Sequence, residues 1–228
     1  MIFDLLETKR KHVKKYLDTI PDKKLIENAL WKAWKTTPSK NNFMAYQLDV
    51  YGPDKEMEKE IMWNFAVANH INAGDVAVEK GFADKTQEGT PNPYYEHIAF
   101  NPYLFTIHSR VSNPNNFYKK QIKEGHFYEQ AYEELFERII DSVAVEVGHF
   151  SSNLGYYLLE EGLDISYNSC FRRRPEEWHK VGLDMVKTRP IAMISCGYAG
   201  RYRRQDLKRR GIEEDDRRPE IDEIVKWM

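Results

Sequence analysis

The feature that most constrains the fold is a long run of apolar residues at helical spacing between Tyr128 and Glu161. Apolar side chains recur there every three or four residues, so they share one face of an α-helix. The members of this stripe are Leu135, Ile139, Val143, Val147, Phe150, Leu154 and Leu158. A helix of this length must cover much of a core or lie between subunits. The stretch therefore predicts a central or interface helix.

Shorter segments predict strands and helices that are interspersed along the rest of the chain. The predicted strands are Gln47–Tyr51, Leu104–Val111, Leu163–Tyr167 and Arg189–Tyr198. The predicted helices are residues 2–9, Pro21–Trp34 with Asp22 as its cap, Lys55–Ala73, Pro175–Leu183 and Glu220–Trp227. Few strands among long helices predict an α+β or α/β fold in which helices cover a modest sheet.

Composition indicates one soluble, globular domain over residues 1–228. Apolar residues make up 41% of the 228 residues and charged residues 31%, and the formal net charge is −2. This balance does not favour a nucleic-acid or membrane partner for the whole chain. Only Cys170 and Cys196 are present, which argues against a disulfide framework or a cysteine-rich zinc site. The start has no signal-peptide pattern and no apolar run could span a bilayer, so we expect a reducing, cytoplasmic location.

Two polar stretches are candidates for a ligand site. The first, RKHVKKY (Arg10–Tyr16), holds five potential positive groups in six positions, which suits a phosphate. Spacing alone favours a solvated basic turn, since runs of charged residues usually face solvent. The second, PSKNN (Pro38–Asn42), consists of turn residues whose side chains can also donate and accept at the edge of a ligand. Neither stretch is decisive alone.

Other motifs leave further alternatives open. Glu146 and His149 share a helix face, as in carboxylate-bridged metal bundles, and Glu176 with His179 repeats the spacing. The chain lacks the four long helices of such bundles, so we expect no metal, with His149 in a core or interface and His179 on the surface. The arginine-rich segment Arg201–Arg218 could bind RNA, form a salt-bridged tail, or bring one or two arginines onto a phosphate.

Taken in order, these pieces resemble the nitroreductase family of FMN-dependent oxidoreductases. RKHVKKY (Arg10–Tyr16) is similar to the family's Arg-Arg-Ser-x-Arg pattern, and PSKNNFMAY (Pro38–Tyr46) to its Pro-Ser-x-x-Asn turn. GLDISYNSCF (Gly162–Phe171) resembles the element that faces the flavin. AMISCGY (Ala192–Tyr198) and RRPEIDEIVKW (Arg217–Trp227) resemble the closing strand and closing phrase.

This sequence departs from the family pattern at several of the same positions. His12 stands where relatives have serine, and Met44 lies in a segment that departs from Gln-Pro-Trp. The turn Tyr167–Cys170 lacks the Pro and Gly common in relatives. Residues 53–125 match nothing specific. Within them, about 81–125 is interpreted as a variable loop or lid insertion, and 199–228 as an extended C-terminal arm.

The resemblance implies the fold and the site residues. The implied fold is a three-layer α/β/α sandwich with a small, mostly antiparallel sheet and a homodimer whose long helix lies in the interface. Arg10, Lys11, His12 and Lys14 would contact the phosphate, ribityl chain and pyrimidine edge of FMN, and Arg217 or Arg218 would close on the phosphate. Near the flavin ring the implied residues are Pro38, Ser39, Asn42, Tyr167, Asn168, Ser169 and Cys170.

The resemblance also implies the chemistry. Hydride would pass by a ping-pong route from NAD(P)H through the N5 atom of FMN to a small electrophile such as a quinone or nitroaromatic. No side chain is implied as a catalytic acid or base, since alignment on the flavin does most of the work. An alternative is a non-catalytic or repurposed flavin-binding protein of the same fold. No nucleic-acid, membrane or metal partner is expected.

Overall fold

The computed structural model describes residues 13–39, 42, 44–62, 101–109, 116–125, 140–169, 171, 175–185, 188–202, 219 and 221–226. The strands are β1 (Val13–Tyr16), β2 (Tyr46–Tyr51), β3 (Tyr103–Ser109), β4 (Asp164–Asn168), β5 (Pro190–Gly197) and β6 (Ala199–Tyr202). The helices are α1 (Lys23–Thr36), α2 (residues 56–62), α3 (Asn116–Lys123), α4 (Ile140–Glu160), α5 (Pro175–Trp178, continued by a 3₁₀ turn His179–Val181) and α6 (Ile221–Ile224).

Four of these strands form one antiparallel sheet in the order β2-β3-β5-β4, and β1 pairs with β6 in a separate two-stranded ribbon. β3 lies inside the sheet, with Phe105 opposite Val50 of β2 on one side and Ile194 of β5 on the other. β4 is the edge strand next to β5, with Tyr167 opposite Ile194. The predicted small antiparallel sheet is confirmed for the described residues.

Alternate residues of β3 face two different hydrophobic clusters, as the two-residue period of a strand requires. Phe105 and Ile107 pack into the larger cluster with α1 and α4. Leu104 points to the opposite face, where it packs with Met193 and Trp178. The sheet thus lies between two layers that contain helices, which agrees with the predicted three-layer α+β arrangement.

The stripe on the long helix is buried as predicted wherever the structure describes it. Val143, Val147, Phe150, Leu154 and Leu158 are each at most 4% exposed. They cover the sheet on the side of the larger cluster. The helix is confirmed over Ile140–Glu160, whereas the predicted residues 128–139 lie outside the described residues.

α4 ends in a tight glycine turn that sets its direction relative to β4. Gly162 has φ 84°, and its amide donates to the Leu159 carbonyl while the Leu163 amide donates to the Leu158 carbonyl. This pair of bonds is the Schellman arrangement, in which glycine is favoured because it has no Cβ. The chain reverses within three residues, so β4 runs back antiparallel to α4.

α1 confirms the predicted helix at Pro21–Trp34, with a shift of two residues at each end. The Asp22 carboxylate accepts the Lys24 amide at 2.9 Å, which is the predicted N-cap. The helix ends at Thr36, two residues before Pro38. Thr37, between them, has an extended backbone, as a residue before proline prefers.

The β1–β6 ribbon is fixed to the sheet by polar contacts. The Tyr16 hydroxyl lies 3.0 Å from both the carbonyl and the hydroxyl oxygen of Ser195 on β5. The Asp164 carboxylate accepts the Ala199 amide at 2.9 Å. The C-terminal end of the N-terminal basic stretch, which forms β1, is therefore held against β5.

Several predictions concern residues that the structure describes only in part or not at all. Of the predicted helix Lys55–Ala73, residues 56–62 are helical and the rest lie outside the described residues, as do residues 2–9. The division into an 81–125 insertion and a 199–228 arm stays a prediction. Among the described segments, no helix combines the length and apolar character that a bilayer crossing demands.

Candidate functional site

The topology brings several predicted site segments to one end of the four-stranded sheet. β2 begins at Tyr46 opposite Ser109, the last residue of β3, and the Ser109 amide bonds to the Arg189 carbonyl just before β5. β4 ends toward the same side, with Asn168 opposite Met193. The N-terminal half of α4 also lies there, because α4 and β4 are antiparallel neighbours. This end of the sheet is the candidate site.

The turn between α1 and β2 contains two residues in the left-handed backbone region. Asn42 has φ 56° and Met44 has φ 45°. Asparagine tolerates this conformation, whereas a residue such as methionine adopts it at a cost. Such outliers persist only where surrounding contacts fix them, and they cluster at functional sites.

Ser39 supplies contacts that fix this turn. Its carbonyl accepts the Asn42 amide at 3.1 Å, and its side-chain oxygen accepts the Met44 amide at 2.8 Å. One serine thereby binds the backbone of both left-handed residues. We call the described residues Pro38, Ser39, Asn42 and Met44 the serine turn.

The Ser39 hydroxyl in turn donates to a carboxylate on the long helix. Its Oγ lies 2.8 Å from Oε2 of Glu146, which is 7% exposed. A serine hydroxyl has one hydrogen and two lone pairs. The hydrogen goes to Glu146 and one lone pair receives the Met44 amide, so Ser39 Oγ can accept one further hydrogen bond but has no hydrogen left to donate.

Two further contacts join α4 to the flanks of the serine turn. Asn153 Nδ2 donates to Thr37 Oγ1 at 3.1 Å, and Thr37 Oγ1 donates to the Ala33 carbonyl at 2.7 Å. On the other flank, the rings of Tyr46 and Phe150 are 5.1 Å apart. Residues 146, 150 and 153 share one face of α4. This face therefore contacts the chain just before the serine turn, within it and just after it.

At the end of β4, Tyr167 lies against the same helix. Its hydroxyl donates to the Ser151 carbonyl at 3.0 Å, and its side chain is 38% exposed. Gly155 permits this contact, because a Cβ there would overlap the Tyr167 hydroxyl. Asn168 is half-buried and Ser169 is exposed. The predicted role of Tyr167–Cys170 over a flavin face stays a prediction, and Cys170 lies outside the described residues.

The predicted phosphate-binding residues are mostly beyond the described parts of the chain. Arg10, Lys11, His12, Arg217 and Arg218 lie outside them, and Lys14 is described only as a backbone position in β1. The ribbon nevertheless pairs Val13 with Tyr202. The two basic segments, before Val13 and after Tyr202, therefore join the described chain at neighbouring residues.

The Glu-x-x-His motif does not form a metal site among the described residues. Glu146 is buried against Ser39, whereas His149 is exposed on the helix, so the prediction of a core position for His149 is wrong and an interface position stays open. His179 is exposed, as predicted. Within the described ranges, no three or more His, Cys, Asp or Glu side chains are grouped to hold a metal ion.

Sequence reasoning missed a polar cluster on the face of the sheet that points away from α1 and α4. His108, 1% exposed, places Nε2 2.8 Å from Oδ2 of Asp49. Tyr51 is nearby, and burial followed by the negative charge of Asp49 raises the pKa of its phenol to about 12. The alternating polar residues of QLDVY (Gln47–Tyr51) are the signal that could have indicated these positions.

Comparison with solved structures identifies the architecture. One similar solved structure is that of a candidate NAD(P)H:FMN oxidoreductase from Staphylococcus epidermidis. It has 15% identity and a TM-score of 0.66, and the match covers 100% of this chain and 96% of that one. A candidate nitroreductase from Exiguobacterium sibiricum in complex with FMN has 14% identity, TM-score 0.64 and coverages of 100% and 97%. The FMN- and NADPH-dependent nitroreductase NfnB from Sphigopyxis has 14% identity, TM-score 0.62 and coverages of 100% and 99%.

Sequence comparison adds no family to this likeness. No protein-family description matches the chain, and no curated protein matches it in sequence. The structural likeness nevertheless extends over the whole length of the chain. The predicted resemblance is thus confirmed at the level of architecture, and the protein has the nitroreductase fold.

Proposed function

We propose that the protein is an FMN-dependent oxidoreductase that takes hydride from NAD(P)H and delivers it to a small electrophile, such as a quinone or nitroaromatic, in the cytoplasm. The observation that carries this proposal is the full-length likeness to proteins described as using FMN or bound to it. The order of the sequence motifs, from the basic stretch to the closing phrase, supports the same cofactor.

The described residues fit a flat ligand with a polar edge. The serine turn offers the remaining lone pair of Ser39 Oγ and the exposed side chain of Asn42. Across the same end of the sheet, Tyr167 offers a partly exposed ring next to Asn168 and Ser169. An isoalloxazine ring needs these two kinds of contact, polar at its edge and apolar on its face.

In this proposal the phosphate of FMN is held by the basic segments. Arg10, Lys11, His12 and Lys14 precede or begin β1, and Arg217 with Arg218 belongs to the segment after β6. Arginine and lysine form strong charge-assisted hydrogen bonds to a phosphate. The β1–β6 pairing supports their convergence, because both segments leave the ribbon at the same end.

Bound FMN would supply a ring that accepts and donates hydride, which no side chain can do. The chain would contribute binding, alignment and exclusion of water rather than acid–base catalysis. The serine turn would orient the ring edge, and the Tyr167–Cys170 segment would cover one face and offer a backbone N–H.

The same proposal includes a homodimer with α4 at the interface. On the side of α4 away from the core, Val145 is 61% exposed, and open space surrounds the position that a Cβ on Gly148 would occupy. A single exposed valine does not define an interface by itself, so the expectation of a dimer here comes from the family resemblance. A second copy of the chain would cover this face.

The absorption spectrum of the purified protein tests the proposal. We expect a yellow protein that absorbs at about 450 nm and is bleached by NADH or NADPH without oxygen. Riboflavin, which lacks the phosphate, is the matched ligand control and should bind much more weakly than FMN. A protein that stays colourless and takes up no added FMN would refute the proposal, and bound flavin that neither nucleotide reduces would favour the non-catalytic alternative.

A further inference from the structure

The long helix carries a buried carboxylate that no part of the proposed cofactor chemistry requires. Glu146 is 7% exposed and accepts the Ser39 hydroxyl at 2.8 Å. Burying a carboxylate is costly unless hydrogen bonds compensate for the lost water. A residue of this kind needs a structural or functional reason to be where it is.

The hydrogen-bond chain from Glu146 ends on the strained backbone. The carboxylate accepts the only hydrogen of Ser39, which holds the serine side chain in the rotamer that places its oxygen at the Met44 amide. Without the acceptor at position 146, the Ser39 side chain is free to adopt another rotamer, in which its oxygen no longer meets the Met44 amide. The left-handed conformation of Met44, φ 45°, then loses a contact that fixes it.

We propose that Glu146 is a positioning residue for the flavin site, because it locks the serine turn in the conformation that presents Ser39 and Asn42 to the cofactor. The inference rests on the proposed function for the identity of the ligand. The locking of the turn itself depends only on the contacts described above. Glu146 acts through Ser39 and needs no contact with the cofactor.

Three variants separate this role from a general loss of stability. Glu146→Ala removes the acceptor, and Ser39→Ala removes the link to Met44. Glu146→Gln keeps an oxygen that can accept the Ser39 hydroxyl. Glu160→Ala is the matched control, since Glu160 lies on the same helix and contacts the exposed Lys32 at 3.2 Å instead.

Amide hydrogen exchange of Met44, followed by NMR on the full chain, is the readout that does not depend on flavin. We expect exchange about tenfold faster in Glu146→Ala and Ser39→Ala, as for loss of one aligned hydrogen bond. Glu146→Gln and Glu160→Ala should stay close to the wild type. Unchanged Met44 exchange in Glu146→Ala, or equal acceleration in Glu160→Ala, would overturn the inference.

Titration with FMN, monitored by quenching of its fluorescence, then decides what the turn is for. We expect the Kd to rise about tenfold in Glu146→Ala and to be largely restored in Glu146→Gln. Faster Met44 exchange with unchanged FMN affinity would refute a role for Glu146 at the cofactor. Failure of the wild type to bind FMN would refute the proposed function, while the exchange data would still decide whether Glu146 locks the turn.

Discussion

At position 155 the long helix passes so close to β4 that only a glycine fits. A Cβ there would lie 2.6 Å from the Ile165 Cδ1 atom and would overlap the Tyr167 hydroxyl. That hydroxyl donates to the Ser151 carbonyl of the same helix at 3.0 Å. The absence of a side chain at one residue therefore sets the position of Tyr167, which belongs to the predicted cofactor site.

Gly155→Ala should destabilise the protein although alanine is the better helix former. In an open helix position the change would gain up to about 1 kcal/mol. Here the added methyl group must displace Tyr167 and Ile165, and overpacking of this kind costs about 1–3 kcal/mol. Urea unfolding of the variant and the wild type measures the difference.

A double-mutant cycle identifies the source of this cost. In a Tyr167→Ala background the alanine at position 155 meets one obstacle fewer. We expect its cost to fall by about 1 kcal/mol, within the range of coupling between residues in contact. An alanine that is equally destabilising in both backgrounds would mean that Tyr167 is not what excludes a side chain at this position.

Among the elements, the sequence predicted best those whose signals are local. The stripe of α4 and the cap of α1 at Asp22 depend on spacing within one helix, and both are confirmed where they are described. The bond between Ser39 and Glu146 joins residues 107 positions apart. It depends on how α4 aligns with the turn before β2, which no local pattern encodes, so the sequence presents Glu146 only as half of a metal motif.

A buried lysine joins α2 to the segment before β3, and its burial makes the free energy of unfolding depend on pH. Lys59 of α2 is 3% exposed, and its Nζ donates to the Asn101 carbonyl, just before β3, at 2.9 Å. Burial lowers the pKa of its amine, although Glu56 and Asp54 oppose the shift. The charged amine is therefore disfavoured in the folded state relative to the unfolded chain.

The stability of the wild type relative to Lys59→Met should rise with pH in the alkaline range. Because the folded-state pKa is lowered, the folded protein releases this proton at a lower pH than the unfolded chain, whose lysine has the ordinary value of 10.5. Between these two values the unfolded state binds more protons, so folding becomes more favourable as pH increases. Below the folded-state pKa the cost of burying the charge is present in full.

Urea unfolding of both proteins from neutral pH to about pH 10 measures this trend, since the window ends near the pKa of an ordinary lysine. Lys55→Met is the matched control, because Lys55 is exposed and pairs with Glu58 at 3.2 Å. A wild-type advantage over Lys59→Met that is flat or falls with pH would show that burial does not disfavour the charged lysine.

Across the whole molecule, antiparallel pairing brings together segments that are far apart in the sequence. The Tyr16 hydroxyl donates to the Ser195 carbonyl, and the Asp164 carboxylate accepts the Ala199 amide. The motifs of the N-terminal and C-terminal parts therefore belong to one architecture, although each is weak alone. Their order along the chain predicted the fold, whereas the convergence of the basic residues on one phosphate stays a prediction, since those residues lie outside the described ranges.

The outer face of α4 is the surface on which the proposed homodimer depends. Val145, 61% exposed, lies in the N-terminal third of α4, the longest of the described helices. In a dimer with two-fold symmetry the same face of each copy meets, so one substitution places two changed residues in a single interface. Val145→Glu would introduce two unpaired carboxylates there, and burying them would be strongly unfavourable.

We expect Val145→Glu to weaken dimerisation by at least about a hundredfold while the far-ultraviolet circular dichroism stays that of the wild type. Sedimentation equilibrium measures the association, and FMN titration of the same samples shows whether cofactor affinity falls with it, as a site shared between two copies requires. Met57→Glu is the control, because Met57 is 69% exposed on α2, away from α4. A monomeric wild type would refute the dimer, a dimeric Val145→Glu would place the interface elsewhere, and a monomeric variant that binds FMN normally would mean that one copy suffices for the cofactor.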